Sequence, residues 1–180
     1  EADAENEAAV MIIKEVGNVK VAGLTLTGGY SVGHGCSGGG GLLITANDMF
    51  NNEGYVSHWT GVVIEDMIIE NSISQNGGGL SIFRTRGSVV NNVIIRNNAA
   101  TAFGGGVFTY GSTINMTNVT VTENSNNIGG TAQGGGMMMP ITGGTLDSMT
   151  ITNNEGCCGG AGIWTNGNYC TWTITNSLID

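Results

Sequence analysis

Apolar residues along this chain come in short bursts that alternate with polar ones at a period of two, and each burst runs out at Asn or Gly. Residues 89–110 carry the pattern in full. Val93 and Ile95 alternate, the run meets Asn97 and Asn98, a small-residue turn follows, and Gly104, Gly105 and Gly106 open a second apolar strand at Val107. The strand-to-Asn part returns at 67–71, 119–124, 149–153 and 172–176, and residues 24–28 are a first copy with Gly28 in the Asn place. Starts at 67, 93, 119, 149 and 172 give spacings of 26, 26, 30 and 23 residues. The glycine runs at 38–41, 77–79, 104–106, 134–136 and 159–162 keep step. Self-similarity at such a period marks a stacked-repeat architecture.

Residue type decides which one. The bursts are β-branched with period two, and Gly or Asn interrupts each before a helix could form. The expected fold is all-β: a right-handed parallel β-helix of about six coils, 23–30 residues each, its hand taken from the general hand of parallel crossovers. Coils stacked at about 4.8 Å bury together a core that one coil cannot bury alone. Alternation turns Val93, Ile95, Val119, Val121, Met149 and Ile151 inward. Asn71, Asn97, Asn124, Asn153 and Asn176 are assigned to a structural Asn turn, where stacked amides bond along the axis and Asn tolerates left-handed backbone. Residues 1–17 read as an acidic arm with a lead-in strand, and 18–180 as one β-helix domain with an insertion loop at 46–60.

Composition narrows the partners. Charged residues are 11% of the chain and the net charge is −9, which disfavours nucleic acid. No apolar run approaches the roughly 20 residues of a membrane span. No signal peptide is apparent, so a secreted protein would be seen here as a mature or excised segment. The four cysteines, Cys36, Cys157, Cys158 and Cys170, lack zinc-ligand spacing and are disulfide candidates. Cys157 or Cys158 can reach Cys170 around a short loop. Cys36 falls in the column of Cys157 but four coils away, roughly 19 Å, beyond the roughly 7 Å that a disulfide spans; that pair would have to form between molecules. Asn115, Asn118 and Asn168 begin glycosylation sequons. Even cysteine count and sequons together point to an extracellular or cell-surface setting.

The glycine runs, the strand-Asn units and the period over residues 18–180 resemble polymorphic outer membrane protein repeats, which belong with the pectin-lyase-like right-handed β-helices. That resemblance implies the β-helix fold. It leaves function open among adhesins, autotransporter passengers, surface fibres and polysaccharide-active enzymes.

Enzymes built on this scaffold need clustered carboxylates, calcium, or a basic residue on one face. Asp66 and Glu70 point outward from one strand, with Arg96 near Glu70 in the next coil; an ion pair across strands is the simpler reading. Glu123, Asp147 and Glu155 are scattered. Asp48, Glu53, His58 and Trp59 in the insertion suit a partner-contacting or capping loop. Outward pairs Thr25/Thr27, Thr120/Thr122, Thr150/Thr152 and Thr173/Thr175 suggest a threonine face for ice, interrupted by Ile68/Glu70 and Ile94/Arg96. Leu43, Phe108, Met138 and Trp164 form an outward apolar column, which with Trp172 and Ile174 gives the interface candidates.

The chain stops partway round a coil at residues 172–180, with no polar cap of the kind solenoids use. It therefore reads as a piece of a longer β-helix or as a unit stacking head to tail, a contact that builds fibres. The expected function is an extracellular or surface structural protein without catalytic activity, assembling end to end into filaments or forming part of an adhesive fibre. Its partners are other copies and cell-surface or extracellular polysaccharide; no cofactor or metal is expected. A carbohydrate-binding or polysaccharide-cleaving β-helix is the alternative, and ice binding a third.

Overall fold

The computed structural model describes residues 8–14, 17–32, 38–46, 50–51, 54–55, 61–126, 133–167 and 171–180. It is a parallel β-solenoid of about 5 turns, with no helix among the described residues. Its strands stack into three parallel sheets, the third of them carried by three turns and extended by isolated bridges in the later ones. The first stacks Met11–Lys14, Leu42–Thr45, Leu80–Phe83, Val107–Tyr110, Met137–Met138 and Ile163–Trp164 in that order. The second runs from Lys20–Ala22 and Thr25–Thr27 through Val63–Glu70, Arg86–Arg96 and Thr113–Thr122 to Gly143–Asp147 and Thr150–Thr152, and ends on Trp172–Thr175 and Leu178–Ile179. The third joins Tyr30–Ser31, Ile73–Asn76 and Ala99–Phe103. The lead-in strand Met11–Lys14 pairs over its full length with Leu42–Thr45, so it is part of the first sheet.

Alternation sets the core. Val93, Ile95, Val119, Val121, Met149 and Ile151 are all buried, in one apolar cluster with Leu42, Leu80, Val107 and Met137 of the first sheet. Alternation breaks once per turn in the second sheet, between Ile64 and Met67 and their equivalents. Both are buried, and two outward residues, Glu65 and Asp66, separate them. The break is a left-handed residue that bends the strand. Gly23, Asp66, Asn92, Asn118, Ser148 and Asn176 occupy this column, all at φ between 50° and 70°. Asx side chains adopt that region at lower cost than other non-glycine residues.

Two further corners follow the same logic. Arg84, Gly111 and Ile141 are left-handed and are followed by the buried hydroxyls Thr85, Ser112 and Thr142. Asn71, Asn97, Glu123 and Asn153 are left-handed and are followed by the buried Ser72, Asn98, Asn124 and Asn154. The glycine runs close the circuit where backbone meets backbone. Gly104 sits at φ 60°, and a Cβ on Gly105 would lie 2.3 Å from the Gly135 carbonyl oxygen. No side chain fits there.

The final turn departs from the expected register. Trp172–Thr175 stacks on Gly144–Asp147, and Leu178–Ile179 on Thr150–Ile151. Thus 172–176 is not the copy of 149–153; it is the copy of the half-strand before it. The step from Met149 to Ser177 is 28 residues, against 26 from Asn98 to Asn124. The reason is local. Both halves of the second sheet end on a left-handed polar residue, so a Thr-Ile-Thr-Asn string satisfies either one.

Candidate functional site

Three surfaces could carry function: the outer face of the second sheet, the outer face of the first, and the two ends of the stack.

On the second sheet, Glu70 and Arg96 are register partners, and the Arg96 Nε donates to Glu70 Oε2 at 2.8 Å. Lys20 pairs with Glu65 one strand earlier. Asp66 Oδ1 accepts from Asn92 Nδ2 at 2.5 Å, and Asn92 Oδ1 accepts from Asn118 Nδ2 at 3.1 Å. Each acid of this group has a cationic or amide partner, so none is presented bare. Asp147 lies further along. The Thr175 hydroxyl, then the Asn176 amide, hold its carboxyl below the usual carboxylate range. Glu123 and Glu155 are exposed at the third corner, in different turns. Among the described residues no three His, Cys, Asp or Glu side chains converge as a metal site.

The threonine pairs do not form one face. Thr120/Thr122 stack on Thr150/Thr152, but their columns continue into Ile94/Arg96 on one side. Thr173 and Thr175 stack on Thr145 and Asp147, in the other half of the sheet. Asn115 and Asn118 are exposed on this same face; Asn115 Oδ1 accepts from Thr145 Oγ1 at 2.9 Å, and Asn118 sits at the left-handed bend. Asn168 lies outside the described residues.

On the first sheet, Leu43, Ser81, Phe108, Met138 and Trp164 do share one column. That column is not open. Phe108 and Met138 are only 5% and 6% exposed, and with Phe83 they form a second apolar cluster that Leu43, Phe103, Tyr110 and Trp164 border. The Phe103 and Phe108 rings stack at 6.2 Å, and Phe83 meets Phe108 at 5.3 Å. Phe103 arrives from the third sheet, so rings on two corners cover each other. Period-two reasoning places a residue outside the sheet but does not show what lies over it. Phe108 and Met138 are therefore not available as a free interface.

The structural Asn turn resolves into more than one column. Asn71, Asn97 and Asn153 are its exposed, left-handed members, whereas Asn124 lies in the buried column beside it and Asn176 in the bend of the second sheet. Asn98 and Asn154 join Asn124 in the buried column; the sequence reading notes the Asn97–Asn98 pair but assigns neither Asn98 nor Asn154 to the turn. Their signal was present as the doublets Asn97-Asn98 and Asn153-Asn154. Also unforeseen is an open groove of about 450 Å³ at the second corner, where Arg86, Thr113, Ile141 and Thr171 meet.

Cys157 and Cys158 are exposed side by side, their sulfurs 3.3 Å apart. Cys36, Cys170, and the insertion residues Asp48, Glu53, His58 and Trp59 lie outside the described residues; Phe50–Asn51 and Gly54–Tyr55 of the insertion form an antiparallel pair of strands.

The ends differ from the flanks. Among the described residues, Val10, Ile12, Leu24, Ile94, Ile141, Ile174, Leu178 and Ile179 are the large apolar side chains left exposed. Six of these eight lie in the first or last turn. Trp172 packs half-buried against the core, while Ile174 is 47% exposed. No protein family, curated protein or solved structure matches the chain.

Proposed function

We propose that this chain is a structural β-helix unit, extracellular or surface-exposed, that assembles end to end through its first and last turns and has no catalytic activity. The observation that carries this reading is the concentration of exposed large apolar side chains at both ends of the stack. Ile174 and Ile179 continue the columns of Leu146 and Ile151, which are fully buried one turn earlier. Burying such side chains is worth about 25 cal/mol per Å² of apolar surface. The occupant that best fits is the first turn of a second copy. By register, Val21 belongs to the column of Leu146 and Ile174, and Leu26 to that of Ile151 and Ile179. A head-to-tail contact would thus add an in-register turn, and such contacts do not close.

The repeat pattern further supports a right-handed coil of the pectin-lyase-like kind, and exposed Asn115 and Asn118 suit a glycosylated surface protein. The carbohydrate-cleaving alternative would draw on Glu70 and Asp66, which are engaged by Arg96 and Asn92. The test is light scattering with electron microscopy over a range of concentrations. Concentration-dependent filaments that vanish in an Ile174→Lys, Ile179→Lys variant support the reading. Uniform monomers at the highest concentration overturn it.

A further inference from the structure

We infer that the open groove at the second corner is a binding site for a small carboxylate carried on an apolar stem. Arg86, Thr113, Gly143 and Thr171 lie in one column on four successive rungs, and all four line the groove. Between Thr113 and Thr171 the column drops to a bare Gly143, which opens the notch. The floor cannot fill in. A Cβ on Gly143 would lie 2.9 Å from the Thr171 carbonyl oxygen, and one on Gly144 would run into the Ile114 carbonyl. Stacking of the turns thus fixes a bare backbone here, so the groove is in place before a ligand arrives.

Two side chains give the groove its chemistry. Lys20 and Arg96 each pair with a glutamate, whereas the exposed guanidinium of Arg86 has no ion-pair or hydrogen-bond partner among the described residues. Its planar fork matches a carboxylate through two parallel hydrogen bonds. The opposite wall is Ile141, which is 47% exposed. It is also left-handed, at φ 51°, in a column whose other members are Arg84 and Gly111. That backbone is unfavourable for a β-branched residue, and exposure to water does nothing to offset it. An apolar ligand group against Ile141 would. Arg86 and Ile141 belong to turns two rungs apart, roughly 10 Å, and an arginine side chain reaches over most of one rung. A ligand touching both therefore has its carboxylate and its apolar end separated by roughly 5–10 Å.

The experiment is a saturation-transfer NMR titration of the full chain with hexanoate, and with acetyl-glycyl-leucine as a peptide C-terminus carrying the same groups. Saturable binding of at least one is expected, and the tighter probe names the source. Hexanamide, which has the same shape without the charge, should bind about 10-fold more weakly or worse. Arg86→Gln should weaken the acid about 10-fold or more, Arg86→Lys less, and Ile141→Asn about 5-fold or more. Asn suits left-handed backbone, so Ile141→Asn should melt no lower than the parent, which separates lost contact from lost folding. The Ile174→Lys, Ile179→Lys variant should bind like the parent, since neither residue lines the groove. The inference is overturned if neither acid binds saturably, if hexanamide binds as well as hexanoate, or if Arg86→Gln or Ile141→Asn leaves the affinity unchanged.

Discussion

Asn124 Oδ1 lies 3.0 Å from both the backbone nitrogen and the side-chain nitrogen of Asn98. Asn154 repeats the same two contacts onto Asn124, each at 3.0 Å, and Ser72 N donates to Asn98 Oδ1 at 3.1 Å. Each amide nitrogen also donates inward, Asn98 to Ile69 O, Asn124 to Ile95 O and Asn154 to Val121 O. A continuous amide column therefore satisfies corner backbone groups that burial would otherwise leave unpaired.

Asn124→Ala should be costly because it strands a buried Asn98 N–H as well as removing its own bonds. At about 1–3 kcal/mol per stranded buried group, a loss of about 2–4 kcal/mol is expected in urea unfolding. Asn71→Ala, at the exposed neighbouring column, should cost about 1–2 kcal/mol through its left-handed backbone alone.

Two glycines should respond differently to the same methyl. Gly105→Ala drives a Cβ onto the Gly135 and Ser125 carbonyl oxygens at 2.3 and 2.5 Å. More than about 4 kcal/mol of destabilisation, or failure to fold, is expected. Gly87 has φ 74° and open space around it, so Gly87→Ala should cost only about 1–2 kcal/mol. Thermal melts of the two variants decide it.

Ile151 and Ile179 share a column but not an environment. Ile151→Ala should cost about 2–5 kcal/mol. Ile179→Ala should be nearly neutral in a dilute monomer and should approach the Ile151 value at concentrations where chains associate.

Acid should loosen the last turn first. The carboxyl of Asp147 is lowered in the folded state by Thr175 and Asn176, so its stabilising effect is present above its unfolded value and lost as pH falls through the folded one. Below about pH 4, hydrogen exchange at residues 172–179 should rise ahead of the rest. Asp147→Asn should remove that difference between pH 3 and 7.

Much of this fold was legible in the sequence, because a period of two and a recurrence of 26 residues act on the whole chain. Val93 and Ile95 could only face a stacked core. What stayed hidden depended on single-residue choices. A lone Asn beside Glu123 fits either the left-handed position or the buried one next to it, and only the backbone decides. The bend at Asp66 left no mark on the apolar pattern beyond one skipped beat. The cover over Phe108 comes from Phe103, a residue in another corner, so no local reading could supply it.

The bonds that join neighbouring turns run along the stacking axis, across the strands rather than with them. Tension applied between the two ends of the molecule would therefore load each rung in turn, and the stack would yield by peeling one coil after another. A tether pulled lengthwise would lengthen in a sawtooth of small steps. The same molecule pulled at right angles to its axis, along its strands, would instead shear many bonds at once and hold far more firmly.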